Sequence, residues 1–230
     1  MVKGGAFQAF PYLSVFEPLL AKGKLLTGPG LLFVVSGPSG AGKDTLVEGL
    51  RARHDRLLYS ISATTRAPRP GERDGVDYFF LERADFEQRL RSGEFLEHRD
   101  YNGRLYGTPR SFIEGSLRAG YDLVSKPEVN GALAIKDQFP DAVFIFIVPD
   151  KFSHLRSRLE ARRTETNEQI AERLEIAHEE FTYVRHFDYL VINEEARPLQ
   201  AVDDLEAILR AERYRIHRYP ETRLKELEDS

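Results

Sequence analysis

The stretch Gly37-Pro38-Ser39-Gly40-Ala41-Gly42-Lys43-Asp44-Thr45 carries the residue types that cradle phosphate. Glycine, four residues, then Gly-Lys is the spacing of a phosphate-binding loop. Glycines let backbone N–H groups converge on phosphate oxygens without a Cβ in the way. A helix beginning after the loop adds its positive N-terminal end. Lys43 then reaches the β- and γ-phosphates of a nucleotide. The pattern ends in Ser or Thr, whose hydroxyl holds magnesium, but this chain has Asp44 there.

Three further blocks are dense in side chains suited to anions and bases: YSISATTRAPRPGERDGVDYFF (59–80), GEFLEHRDYNGRLYGTPR (93–110) and RLEARRTETNEQIAERL (158–174). Together with the phosphate loop they resemble the guanylate kinase family. The resemblance runs from about Leu31 to Arg213, and TTR-x-PRPGE-x-DG-x-DY and YGTPR are its most specific parts.

The resemblance implies a P-loop α/β kinase with ATP and GMP as substrates and Mg²⁺ accompanying the ATP. Gly37, Pro38, Ser39, Gly40, Ala41, Gly42, Lys43, Asp44 and Thr45 would hold ATP. Arg66, Arg69, Tyr78 and Tyr106 would hold the GMP phosphate, two guanidinium forks and two phenols suiting a dianion. Glu97 would accept from the N1–H and N2–H of guanine, with Ser62 and Thr108 contacting the base and Glu128 helping to hold the amino group. Lys43 with the lid arginines Arg158, Arg162 and Arg173 would stabilise the transferring phosphoryl group. Arg158 and Arg162 are four apart and share a helix face. Nearby acids such as Glu160 and Glu172 leave a second reading, a helix laced with surface ion pairs. Arg163 stands where the family commonly has Gly.

Two positions depart from the family. Gly-Lys-Ser-Thr has become Gly42-Lys43-Asp44-Thr45, and an acid-x-acid pair has become Lys126-Pro127-Glu128. An acid has appeared in the loop and one has vanished from a strand end near it. Asp44 therefore either takes over positioning of Mg²⁺, pairs with Lys126, or points away and favours the helix start. Gly-Lys-Asp also resembles the loop of ribose 1,5-bisphosphate phosphokinases, the alternative enzyme. A third reading is a non-catalytic guanylate-kinase-like domain that binds protein.

These residues need a scaffold. Leu31–Ser36 reads as a buried strand, and 45–54 as a helix, so the loop sits at a strand-to-helix turn. Further strands are expected at Leu57–Ser62, Tyr121–Ser125, Ala142–Val148 and Tyr189–Asn193. Helices are expected at 84–92, 111–119, 151–163, 167–185 and 198–213. Strands alternating with helices predict a mainly parallel sheet flanked by helices. The expected division is an N-terminal extension (1–30), a kinase-like domain (31–215) and a polar tail (216–230), with fraying expected over Tyr219–Ser230. Within the kinase-like domain lie a GMP-binding lobe at about 61–122 and a helical lid at about 155–178.

The 230-residue chain has 41% hydrophobic and 30% charged residues and a formal net charge of -4, which gives no electrostatic footprint for nucleic acid. The absence of cysteine excludes disulfides and thiolate metal sites and suits a cytoplasmic setting. The longest apolar run, Ala142–Val148, is far short of the ~20 residues a membrane helix needs. Residues 1–30 lack Arg and a basic n-region, which argues against a signal or transit peptide. Phe7, Phe10, Tyr12 and Phe16 are expected to pack on something. The composition is compatible with a monomer or a homodimer.

Overall fold

The computed structural model of the chain describes residues 29–161, 166–219 and 221–228. It forms two compact units, one built from 31–59 together with 121 onward, the other from 60–120. In chain order, the first unit opens with β1 (Leu32–Ser36), α1 (Lys43–Arg51) and β2 (Leu57–Tyr59). The second unit follows as β3 (Ala63–Thr64), β4 (Phe79–Phe80), α2 (Arg83–Arg91), β5 (Phe95–Tyr101), β6 (Arg104–Pro109) and α3 (Arg110–Arg118). The chain then returns to the first unit with β7 (Asp122–Ser125), α4 (Val129–Gln138), β8 (Val143–Pro149), α5 (Phe152–Ala161), α6 (Asn167–Thr182), β9 (Tyr189–Asn193), α7 (Pro198–Glu212) and α8 (Glu221–Glu228).

The larger unit is a five-stranded parallel sheet of order β2-β7-β1-β8-β9. Every residue of β1, β7 and β8 is buried, as expected for parallel strands covered on both faces. The β-branched run in Val143–Pro149 suits that doubly covered position, which explains why it reads so clearly as a strand. Phe33, Val35, Ile145 and Ile147 project into one core with Leu46 and Leu50 of α1 and Leu205 of α7. β1 lies between β7 and β8, so the chain leaves β1 on one side and β8 on the other. Such a switch point opens a crevice at the C-terminal strand ends, where ligands bind in open α/β sheets. The loop after β1 and the segment after β7 both emerge there, and the register pairs Val34 with Ser125.

Buried ion pairs secure the end of this unit. Glu212, fully buried at the end of α7, accepts hydrogen bonds from Arg218 (2.6 Å) and from the Tyr189 hydroxyl (2.5 Å). Arg213 pairs with the buried Asp122 at the start of β7, whose other oxygen accepts from the Leu31 backbone N–H.

The smaller unit is a four-stranded sheet of order β4-β3-β6-β5. β5 and β6 form an antiparallel hairpin turned at Asn102 and Gly103, both with positive φ. Its core is aromatic: Phe86 stacks on Phe95 at 4.4 Å and Phe79 meets Phe112 edge-on at 5.9 Å. Among the described residues no helix is long and apolar enough to cross a membrane.

Candidate active site

The loop between β1 and α1 owes its shape to three glycines with positive φ, Gly37, Gly40 and Gly42, of which the first and last are also closely packed. Gly37 has φ +134, and a Cβ there would lie 2.1 Å from the Ile147 carbonyl oxygen at the end of β8. Gly42 has φ +89 and is the N-cap of α1, and a Cβ there would lie 2.4 Å from the Asn193 side chain. Glycine alone meets both the conformation and the space. Lys43, the first residue of α1, folds back so that its ammonium bonds the carbonyls of Gly37 and, at 2.9 Å, Pro38.

Two arginines from the helices after β8 reach this loop. Arg158 donates to the carbonyls of Gly40 (3.4 Å), Ala41 (3.3 Å) and Asn193 (3.2 Å). Arg173 reaches the Ser39 hydroxyl at 3.3 Å. Asn193 completes the arrangement by donating to the Ala41 carbonyl at 2.8 Å. Arg162 lies outside the described residues.

Asp44 is the acidic residue in the first turn of α1, and its carboxylate pairs with Lys126, just beyond the end of β7. Burial first, and then the nearby Lys43 ammonium, lower the Lys126 pKa to about 8. Glu128, two residues on, is exposed and occupies the N-cap position of α4.

The smaller unit carries the second set of residues. Arg66 is 7% exposed, forks onto both oxygens of Glu72 at 2.8 and 2.9 Å, and donates to the Ala67 carbonyl at 2.7 Å. Its guanidinium lies 5.3 Å from the centre of the Tyr78 ring, which meets Tyr106 edge-on at 6.2 Å. The Arg69 backbone N–H bonds Glu72 at 2.6 Å, while the Arg69 side chain is exposed. That backbone bond and the Arg66 guanidinium outweigh partial burial and hold Glu72 below the usual carboxylate range. Across the hairpin, the Thr108 hydroxyl donates to Glu97 at 2.6 Å. Burial raises the Glu97 pKa, with the Thr108 bond and then Arg99 acting against it. Ser62 is half-buried, just before β3.

Both units thus present charged side chains already oriented by partners. The family model described as guanylate kinase matches residues 30–212. The chain belongs to the guanylate kinase family. A guanylate kinase from Desulfitobacterium hafniense (strain Y51) is 46% identical over 83% of this chain and 94% of its own length. One from Clostridium perfringens (strain 13 / Type A) is 44% identical over 87% of this chain and 92% of its own. The crystal structure of guanylate kinase from Anaplasma phagocytophilum is 30% identical and superposes with a TM-score of 0.63, covering 85% of this chain and 92% of that one. For this guanylate kinase family member the fold is therefore the P-loop type expected from the sequence.

Sequence reasoning passed over two residues that the structure brings to these groups. Glu72 stands inside an arginine-rich motif, and an acid six residues after Arg66 is the signal that could have found it. Asn193 ends an otherwise apolar strand, where a polar residue needs a reason.

Proposed function

We propose that this protein transfers the terminal phosphoryl group of ATP to GMP, and to dGMP, giving ADP and GDP or dGDP. The observation that carries the reading is likeness to curated guanylate kinases along more than four-fifths of the chain. The acceptor's phosphate is already anionic at neutral pH, so no side chain has to act as a strong base. The work is positioning, charge neutralisation and exclusion of water.

We assign the loop residues Gly37 to Thr45 to the ATP phosphates, with Lys43 leaving its loop carbonyls for phosphate oxygens. Arg158, Arg162 and Arg173 stabilise charge on the transferring group. On the smaller unit, Arg66, Arg69, Tyr78 and Tyr106 take the monophosphate. Arg66 is held ready by Glu72, so little side-chain entropy is lost when it engages. Glu97 reads guanine N1–H and N2–H, Ser62 and Thr108 contact the base, and Glu128 contributes to the amino group. The Thr108 bond orients the Glu97 carboxylate while leaving acceptor capacity for the base.

Use of ATP implies a divalent ion, which we take to be Mg²⁺. Mg²⁺ is held by one or two carboxylates together with substrate phosphates. Asp44 fits that role: it is an exposed carboxylate directly after Lys43 and already has a cation beside it in Lys126. Bound there, the ion would neutralise charge on the phosphates. Lys126, displaced from Asp44, would remain as a further positive charge near the loop. We read the protein as cytoplasmic, in keeping with a chain that has no cysteine.

Coupled ADP release with ATP, Mg²⁺ and GMP tests the assignment. Lys43→Ala should abolish turnover while GMP binding survives. Near-normal kcat in that variant refutes the role of the loop.

A further inference from the structure

The smaller unit carries a further guanidinium beside the residues assigned to the acceptor. Tyr106 and Thr108 are two apart in β6, so their side chains leave the sheet on one face. Thr108 bonds Glu97 on that face, at 2.6 Å. Arg99 stands directly opposite Tyr106 in the register of the β5–β6 hairpin. Its guanidinium lies 5.5 Å from the centre of the Tyr106 ring and 5.8 Å from that of Tyr101. Tyr106 is thus held between Arg99 and the ring of Tyr78, which in turn has Arg66 at 5.3 Å. Arg99 also favours the ionised form of Glu97, as a cation on the same face must.

Arg99 is exposed, and an exposed cation–π contact adds little to stability, so packing alone does not account for it. Charge does. Glu72 binds Arg66 through both carboxylate oxygens and so cancels one of the two positive charges assigned to the phosphate. Arg69 by itself leaves a dianion under-neutralised. We propose that Arg99 is a third arginine of the acceptor site, laid on the Tyr106 ring with its N–H groups turned to the GMP phosphate. This rests on reading the smaller unit as the GMP site, and deepens it. Arginine suits the position, because a planar guanidinium can lie on an aromatic face while its edge donates to phosphate oxygens. GMP then spans two rungs of the hairpin. Its base meets Glu97 and Thr108, and its phosphate reaches toward Tyr106 and Arg99, about 7 Å further along the strands.

The test is NMR titration with GMP and with guanosine, together with GMP kinetics at saturating ATP. Arg99→Ala should weaken GMP binding about tenfold and raise the KM for GMP by a similar factor, with kcat within about twofold of the parent. Guanosine, which lacks the phosphate, should bind parent and variant alike. Arg99→Lys keeps the charge without the planar fork and should recover part of the loss. Arg118→Ala removes an exposed cation elsewhere on the unit and should change neither ligand. Equal losses for GMP and guanosine would mean that Arg99 acts through Glu97 or the hairpin, and would overturn the proposal. So would unchanged GMP binding, a Lys variant no better than Ala, or an equal effect of Arg118→Ala. Failure of the parent protein to bind GMP instead overturns the reading of the smaller unit itself.

Discussion

Lys126 at the end of β7 pairs with Asp44 in the first turn of α1, across 82 residues of sequence. Relative to the guanylate kinase pattern, the two positions have exchanged character: an acid replaces a hydroxyl in the loop, and a lysine replaces an acid beside it. The two positions together change from a net charge of -1 in that pattern to zero here. The pair is half open to solvent, with Asp44 69% and Lys126 20% exposed, so its contribution to stability is about 0–1 kcal/mol. Under the proposed function, its importance lies in where charge sits around the triphosphate.

A double-mutant cycle tests that coupling. Asp44→Ser leaves Lys126 unpaired, and Lys126→Asp sets two carboxylates beside the phosphates. Each should lower kcat/KM by about tenfold or more, while the double variant returns to within roughly threefold of the parent. Strictly additive losses would show that the two positions act independently.

Glu97 gives a pH prediction. Its pKa is raised by burial, and only the ionised form accepts both guanine N–H groups. GMP affinity should therefore hold at neutral pH and fall as pH drops through a pKa above that of an ordinary glutamate. The ratio of parent to Glu97→Gln affinity is the quantity to measure, because the second ionisation of the monophosphate, near ~6, affects both proteins equally. That ratio should shrink toward unity in mild acid; a constant ratio across the range contradicts the assignment.

Much of the larger unit is legible in the sequence, because strands covered on both faces are uninterrupted apolar runs such as Val143–Pro149. Helix α4 is not, since Pro127 and the Asn130-Gly131 pair give its start the look of a turn. The β5–β6 hairpin also escapes notice. Residues 98–101 are all exposed and mostly charged, and Asn102-Gly103 is the one clear hairpin cue. The polar tail holds a further short helix, α8, Glu221–Glu228, that composition does not reveal. For the site, motif spacing names most of the charged residues but not their partners. The pairing of Arg66 with Glu72 and the reach of Arg173 to Ser39 depend on how loops and helices return in space.

Stability should depend on Glu212. Burial works against its ionisation, but the Tyr189 hydroxyl, Arg218 and Arg215 outweigh it and hold its pKa down. A depressed carboxylate contributes stability above its unfolded pKa and loses it as pH falls through the folded one. Glu212→Gln leaves the Arg218 guanidinium, 12% exposed, without its charge partner and should cost about 3 kcal/mol in urea unfolding at neutral pH. A cost below about 1 kcal/mol would show that the cluster is dispensable.

The most direct measurement is a phosphoryl-acceptor screen with ATP and Mg²⁺, offering GMP, dGMP, AMP, UMP and ribose 1,5-bisphosphate. The account predicts ADP release with GMP and dGMP, one ADP per acceptor phosphorylated, and little with AMP, UMP or the sugar phosphate. Preferential phosphorylation of ribose 1,5-bisphosphate, or equal use of AMP and GMP, would contradict it.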